Sequence, residues 1–182
     1  APGSPELAEE VKRSITSTTV GLDHSWGLDH GAWSVVKHLY PNADVPVIQM
    51  SIDYSLKPEQ HYALAKEIAR LRDKGVLIIG SGNMVHNLGL VAWDKLSESY
   101  AFDWAVEARA RMNQAILSGD HASLVNFHAQ GKAFDLAINS GEHFIPLLYT
   151  LALQGKDERA MLFNDKPLAG SLTMTSVKID KA

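Results

Sequence analysis

The sequence contains no cysteine. That excludes a disulfide scaffold, thiolate zinc and iron–sulfur sites, and a cysteine nucleophile. It also fits a reducing compartment, so the expected location is cytoplasmic. No apolar run approaches the roughly 20 residues that span a bilayer, which argues against a membrane partner. No long basic run marks a nucleic-acid footprint, and the formal charge is −4, from 21 acidic and 17 basic residues. The opening Ala1-Pro2-Gly3-Ser4-Pro5 has neither a basic n-region nor an apolar stretch and does not read as a signal peptide. The zincin motif and the G-x-S-x-G elbow are missing too.

What is present is a chain of 182 residues, 46% of them hydrophobic. That suits one domain with a sizeable core and no disulfides. Ser4-Pro5 reads as an N-cap with proline in the first helical turn, opening a helix to about Ser14. Residues 21–33 read as a loop, and a helix is expected from about Ala32 to Tyr40. Val45–Ile52 is apolar and rich in β-formers, so it is expected to be a strand covered on both faces. A helix from Lys57-Pro58 to about Lys74 follows, stopped by Gly75, and Val76–Ile79 reads as a second buried strand. This strand–helix–strand order predicts a parallel pair joined by a right-handed crossover. Helical patterns recur at Tyr100–Leu117, His121–Phe127, Gly131–Ile138 and Phe144–Leu153, and the alternating tail around Leu172–Ile179 suggests a closing strand.

Eight histidines in a chain without cysteine make His the first place to look for chemistry. Three groupings stand out. In the loop, Asp23-His24 and Asp29-His30 each pair a carboxylate with an imidazole, and Trp26 and Trp33 provide apolar walls. Asp can orient an imidazole, or it can simply satisfy backbone groups in a loop. The second reading suits His24, and function suits His30. The second grouping, Gly80-Ser81-Gly82-Asn83-Met84-Val85-His86-Asn87, follows the end of a predicted parallel strand, where open α/β sheets bind ligands. Its glycines would let backbone approach a ligand, or would only form a turn before a capping His. The third, Glu142-His143, opens an apolar helix whose N-terminus disfavours imidazolium. Glu142 is then a ligand, an orienter or a helix-dipole partner. His38, His61, His121 and His128 lie among polar neighbours and read mostly as surface residues.

In order along the chain, Trp26–Trp33, Val45–Asp53, Gly80–Leu88, Glu142–Tyr149 and Gly170–Met174 resemble the class III extradiol ring-cleavage dioxygenases. The match is to the bacterial 4,5-DOPA-extradiol-dioxygenase-like group. The resemblance implies a single-domain αβα sandwich around a mixed, largely parallel sheet. It implies a mononuclear site holding Fe(II), or zinc in some relatives, and insertion of O2 into a catechol beside the diol. Small-molecule catechol and O2 are then the partners, and homo-oligomerisation stays open. Carried over by motif, His86 is a metal ligand or the acid/base, His143 is a metal ligand, and His30 lines the substrate pocket. Trp26, Trp33 and Asn83 are expected to contact substrate. The family's upstream Gly-His-Gly-Ser-Pro and Ser-Ala-His motifs, each supplying a metal His, are not present. The chain is therefore expected to be the C-terminal part of one catalytic domain, with an incomplete metal set. The rival is a zinc- or metabolite-binding protein of the same fold without turnover.

Overall fold

A computed structural model describes residues 1–181. Seven α-helices carry the core. Helix α1 (Pro5–Ser14) starts as expected, with the Ser4 hydroxyl accepting from the Leu7 N–H at 3.3 Å. Helix α2 (His30–Leu39) begins two residues earlier than its apolar pattern, because Asp29 is its N-cap. Helix α3 (Pro58–Glu67) passes into a 3-10 turn, Ala69–Lys74, and stops at Gly75, whose φ of +79° suits glycine. Helices α4 (Asp103–Ser118), α5 (His121–Val125), α6 (Lys132–Ala137) and α7 (Ile145–Ala152) follow. Helix α7 is apolar on nearly every side and is wedged into the centre, where Leu148 and Leu151 are fully buried with Met112, Ile116 and Leu124. A helix this apolar has no solvent face to present, so the rest of the fold wraps around it.

Two short antiparallel ladders close the chain. Strand β1 (Glu158–Phe163) pairs with β4 (Ser176–Lys181), and β2 (Pro167–Leu168) pairs with β3 (Leu172–Thr173). Arg72 ties the turn after α3 to this end, donating to both carboxylate oxygens of Glu158 at 2.9 and 2.6 Å. The expected closing strand is thus present, and its partner β1 went unread.

The expected parallel pair is corrected. Val45–Ile52 and Val76–Ile79 run as unassigned backbone with no ladder between them, and every ladder among the described residues is antiparallel. In Val76–Ile79 the side chains still follow a strand's period of two: Val76 and Ile78 pack on the core, whereas Leu77 and Ile79 are 65% and 43% exposed. Ile48 and Ile52 likewise pack inward. The sequence supplies β-forming residues, but a ladder needs a neighbour at hydrogen-bonding distance. Apart from the Val47 N–H, which donates to the Pro2 carbonyl at 2.9 Å, no backbone hydrogen bond forms along Val45–Ile52.

Candidate functional site

The site is assembled by close approach of backbones. Gly80 and Gly82 are two residues apart, so they share one face of an extended segment. That face lies on the start of α7. A β-carbon at Gly82 would sit 3.0 Å from the His143 carbonyl carbon and closer still to its oxygen. One at Gly80 would sit 2.8 Å from the Pro146 carbonyl carbon and 3.2 Å from Thr150 Cγ2. The glycines therefore admit neighbouring protein backbone rather than a ligand.

That approach brings His86 onto His143. The two imidazoles stack with centroids 3.7 Å apart and planes 25° from parallel. The His86 backbone is held from two sides: its N–H donates to the Ala137 carbonyl at 2.9 Å, and bridges reach Ile138 and Leu172. The next residue is pinned as well. Asn87 Nδ2 donates to the Leu136 carbonyl at 2.9 Å, and the fully buried Ser171 hydroxyl donates to the Asn87 carbonyl at 2.7 Å. Asn83 is part of the same anchoring, its amide donating to the Thr173 carbonyl at 2.7 Å. Sequence reading placed Asn83 against substrate and overlooked Ser171.

Burial, with His143 alongside, lowers the His86 pKa and favours the neutral ring. His143 belongs to the 3-10 turn Gly141–His143, just before α7 rather than inside it. Glu142 Oε1 lies 3.9 Å from His143 Nε2 and accepts from the Ser140 hydroxyl at 2.8 Å. Burial alone would raise the Glu142 carboxyl, but Ser140, its own backbone N–H and the two imidazoles together hold it below the usual range. The result is a carboxylate beside two stacked imidazoles. Glu142 also lines a cavity of about 220 Å³ with Tyr54, His61, His128 and Ser140.

His30 enters this neighbourhood at the first position of α2. The Ser81 hydroxyl donates to the Gly31 carbonyl at 2.7 Å, joining the start of α2 to the Gly80–Gly82 turn. The Asp29 carboxylate does not orient the His30 ring. One oxygen caps the Ala32 N–H at 2.8 Å and the other accepts from Gln49 Nε2 at 2.9 Å. Asp23 is likewise spent on the Ser25 and Trp26 backbone, which fits the loop reading of His24. Trp26 and Trp33 flank this loop, 73% and 48% exposed.

Two of the presumed surface histidines are not on the surface. His61 is 1% exposed, and its Nδ1 pairs with the Tyr149 hydroxyl at 3.0 Å. Burial lowers the His61 pKa and pushes the Tyr149 hydroxyl up to about 12, so both stay neutral. The signal was available: positions 61, 64, 65 and 68 form one helical stripe, and its other members are Leu64, Ala65 and Ile68. His121 is half-buried, bridging the Tyr62 hydroxyl at 2.8 Å and Gln154 Oε1 at 3.0 Å.

As a metal centre the described residues are incomplete. No group of three His, Asp or Glu side chains among them could hold an ion. Nor is any helix among the described residues long and apolar enough to cross a membrane.

A family model described as the catalytic LigB subunit of aromatic ring-opening dioxygenase matches residues 1–169. The chain is 37% identical, over 98% of its length, to a 4,5-DOPA dioxygenase extradiol of Escherichia coli (strain K12) and 33% identical, over the same share, to one of Beta vulgaris. It spans 66% of the length of each. The crystal structure of an uncharacterized protein from Escherichia coli K12 superposes with a TM-score of 0.85 at 35% identity, over 97% of this chain and 73% of that one. With the family model matching nearly end to end, the chain belongs to the LigB family of aromatic ring-opening dioxygenases.

Proposed function

We propose that this chain forms the C-terminal part of an extradiol dioxygenase domain that opens a DOPA-like catechol ring with O2, both oxygen atoms entering the ring-opened product. The observation that carries the reading is the stacked His86–His143 pair beside Glu142, set where two family motifs meet. His86, kept neutral by burial, is suited to take a proton from a catechol hydroxyl and return it after ring opening. Glu142 fixes the electrostatics of the pair. His30, with Trp26 and Trp33, borders the space a flat aromatic substrate would enter, and Asn83 holds the turn that carries His86.

His143 is proposed as a donor to a divalent metal, Fe(II) or zinc, and His86 as acid/base rather than ligand. The other donors would come from the portion of the domain that this chain does not span. The same portion would pair with Val45–Ile52 and Val76–Ile79 and so complete a mixed, largely parallel sheet in an αβα sandwich. Val76–Ile79 already has the inward–outward alternation of a strand without the ladder, and Val45–Ile52 turns Ile48 and Ile52 to the core. The lack of cysteine supports a cytoplasmic setting.

The test is a comparison of His86→Ala and His143→Ala in the intact protein. The expected result is that His86→Ala keeps its metal and loses formation of the yellow ring-opened product, while His143→Ala loses both. Tightly held zinc with no turnover of any catechol after exchange to Fe(II) would replace this reading with a binding protein of the same fold.

A further inference from the structure

The segment Val45–Ile52 does more than pack its inward residues. From it, the Gln49 side chain makes a two-point contact with Asp29: Gln49 Oε1 accepts from the Asp29 N–H at 3.0 Å, and Gln49 Nε2 donates to Asp29 Oδ2 at 2.9 Å. Asp29 is the N-cap of α2, with its other oxygen on the Ala32 N–H. His30 is the next residue, and its ring makes no hydrogen bond to protein among the described residues. His30 is exposed, so its place follows the backbone that carries it, and the Gln49 side chain grips that backbone from another segment. The Ser81 hydroxyl holds the Gly31 carbonyl from the opposite side. The start of α2 is thus clamped between Gln49 and the turn that leads to His86.

We infer that Gln49 is a positioning residue for His30: by gripping both the N–H and the carboxylate of Asp29, it sets the start of α2 and so the place of the His30 imidazole at the catechol site. The inference rests on the proposed role of His30. The amide is matched to the task, since it offers an acceptor and a donor at once. Glutamate keeps the acceptor but loses the donor and brings a second negative charge against Asp29. Alanine loses both contacts. A side chain that is gripped only through its backbone loses its place when the grip goes, and misplacement of about 1 Å at a reacting group costs up to roughly 100-fold.

Two measurements on the intact protein test this. The first is a double-mutant cycle on kcat/KM for catechol cleavage. Gln49→Ala should lower kcat/KM by roughly 10- to 100-fold and Gln49→Glu at least as much, whereas Gln49→Ala added to His30→Ala should cost less than about twofold more. Independent, multiplying losses would show that Gln49 acts elsewhere and would overturn the inference. The second is amide hydrogen exchange, which needs no turnover. Gln49→Ala should speed exchange at the Asp29 and Ala32 amides by about tenfold or more while leaving the Ser4-capped Leu7 amide unchanged. Unchanged exchange at Asp29 would overturn the clamp itself. Faster exchange with a fully active His30→Ala variant would instead remove His30 from the reaction, and the positioning role with it.

Discussion

The packing of Gly82 on His143 gives the sharpest structural prediction. Gly82→Ala introduces one methyl group. The backbone at Gly82 has no left-handed φ, so alanine is conformationally allowed and the cost is steric. The new carbon would lie 3.0 Å from the His143 carbonyl carbon, 3.2 Å from its Cα, and under 3 Å from its oxygen. All three atoms are backbone, so no flexible side-chain end can swing aside. An ordinary carbon–oxygen approach is about 3.3 Å, and restoring it moves the turn and His143 apart by roughly 1 Å. Overpacking of this kind costs about 1–3 kcal/mol. At this chain length that corresponds to a fall in Tm of about 2–12 °C. If His86 and His143 act together, a shift of that size also lowers kcat/KM by roughly 100-fold. Gly21→Ala is the control, since a β-carbon there meets nothing within 4 Å. The assay is thermal denaturation of both variants beside product formation. A Gly82→Ala protein with the parent's Tm and the parent's rate would refute the claim that this glycine seats His143 against the His86 turn.

Other consequences concern the scaffold. Tyr149→Phe leaves the buried His61 Nδ1 without its partner and should cost about 1–3 kcal/mol in urea denaturation; an unchanged midpoint would show that the pair contributes nothing. Asp165 accepts from Arg109, Thr175 and Asn113, and chiefly the Arg109 bond, against a smaller cost of burial, holds its carboxyl at about 2. Because the folded pKa lies below the unfolded value of about 4, its contribution is full at neutral pH. It is lost as pH falls from about 4 through 2. The stability difference between the parent and Asp165→Asn, about 1–2 kcal/mol at pH 7, should therefore narrow over that range, and a difference that stays constant would contradict the assignment.

How far the sequence showed these features depends on how local their causes are. Helix ends were legible because caps are local: Ser4-Pro5 starts α1 and Gly75 stops the turn after α3. The three His-bearing motifs were legible as a set, but their contacts were not. Nothing in Gly80-Ser81-Gly82 says that its glycines face the start of α7 rather than a ligand, since that face is fixed by residues more than 60 positions later. Asp29 beside His30 suggested an orienting carboxylate; the distant Gln49 and the helix N-terminus claim it instead. Strand β1 was missed because its apolar run Ala160–Phe163 shows no alternation in sequence, although Ala160 is buried and Met161 and Phe163 are exposed, and because its partner, β4, comes after an intervening hairpin. Val45–Ile52 and Val76–Ile79 failed in the opposite direction: their apolar, β-forming residues are present, but pairing is not a property of one segment. His61 was misread although its own helical stripe marked it as buried.

In the proposed reaction the His86–His143 pair serves catechol ring opening. Oxygen uptake tests it most directly, using the intact, Fe(II)-supplied protein with DOPA as the catechol. One O2 should be consumed per catechol opened, and a folded His86→Ala protein should lose that uptake. Catechol-dependent uptake that is absent in the parent, or that persists undiminished in His86→Ala, would contradict it.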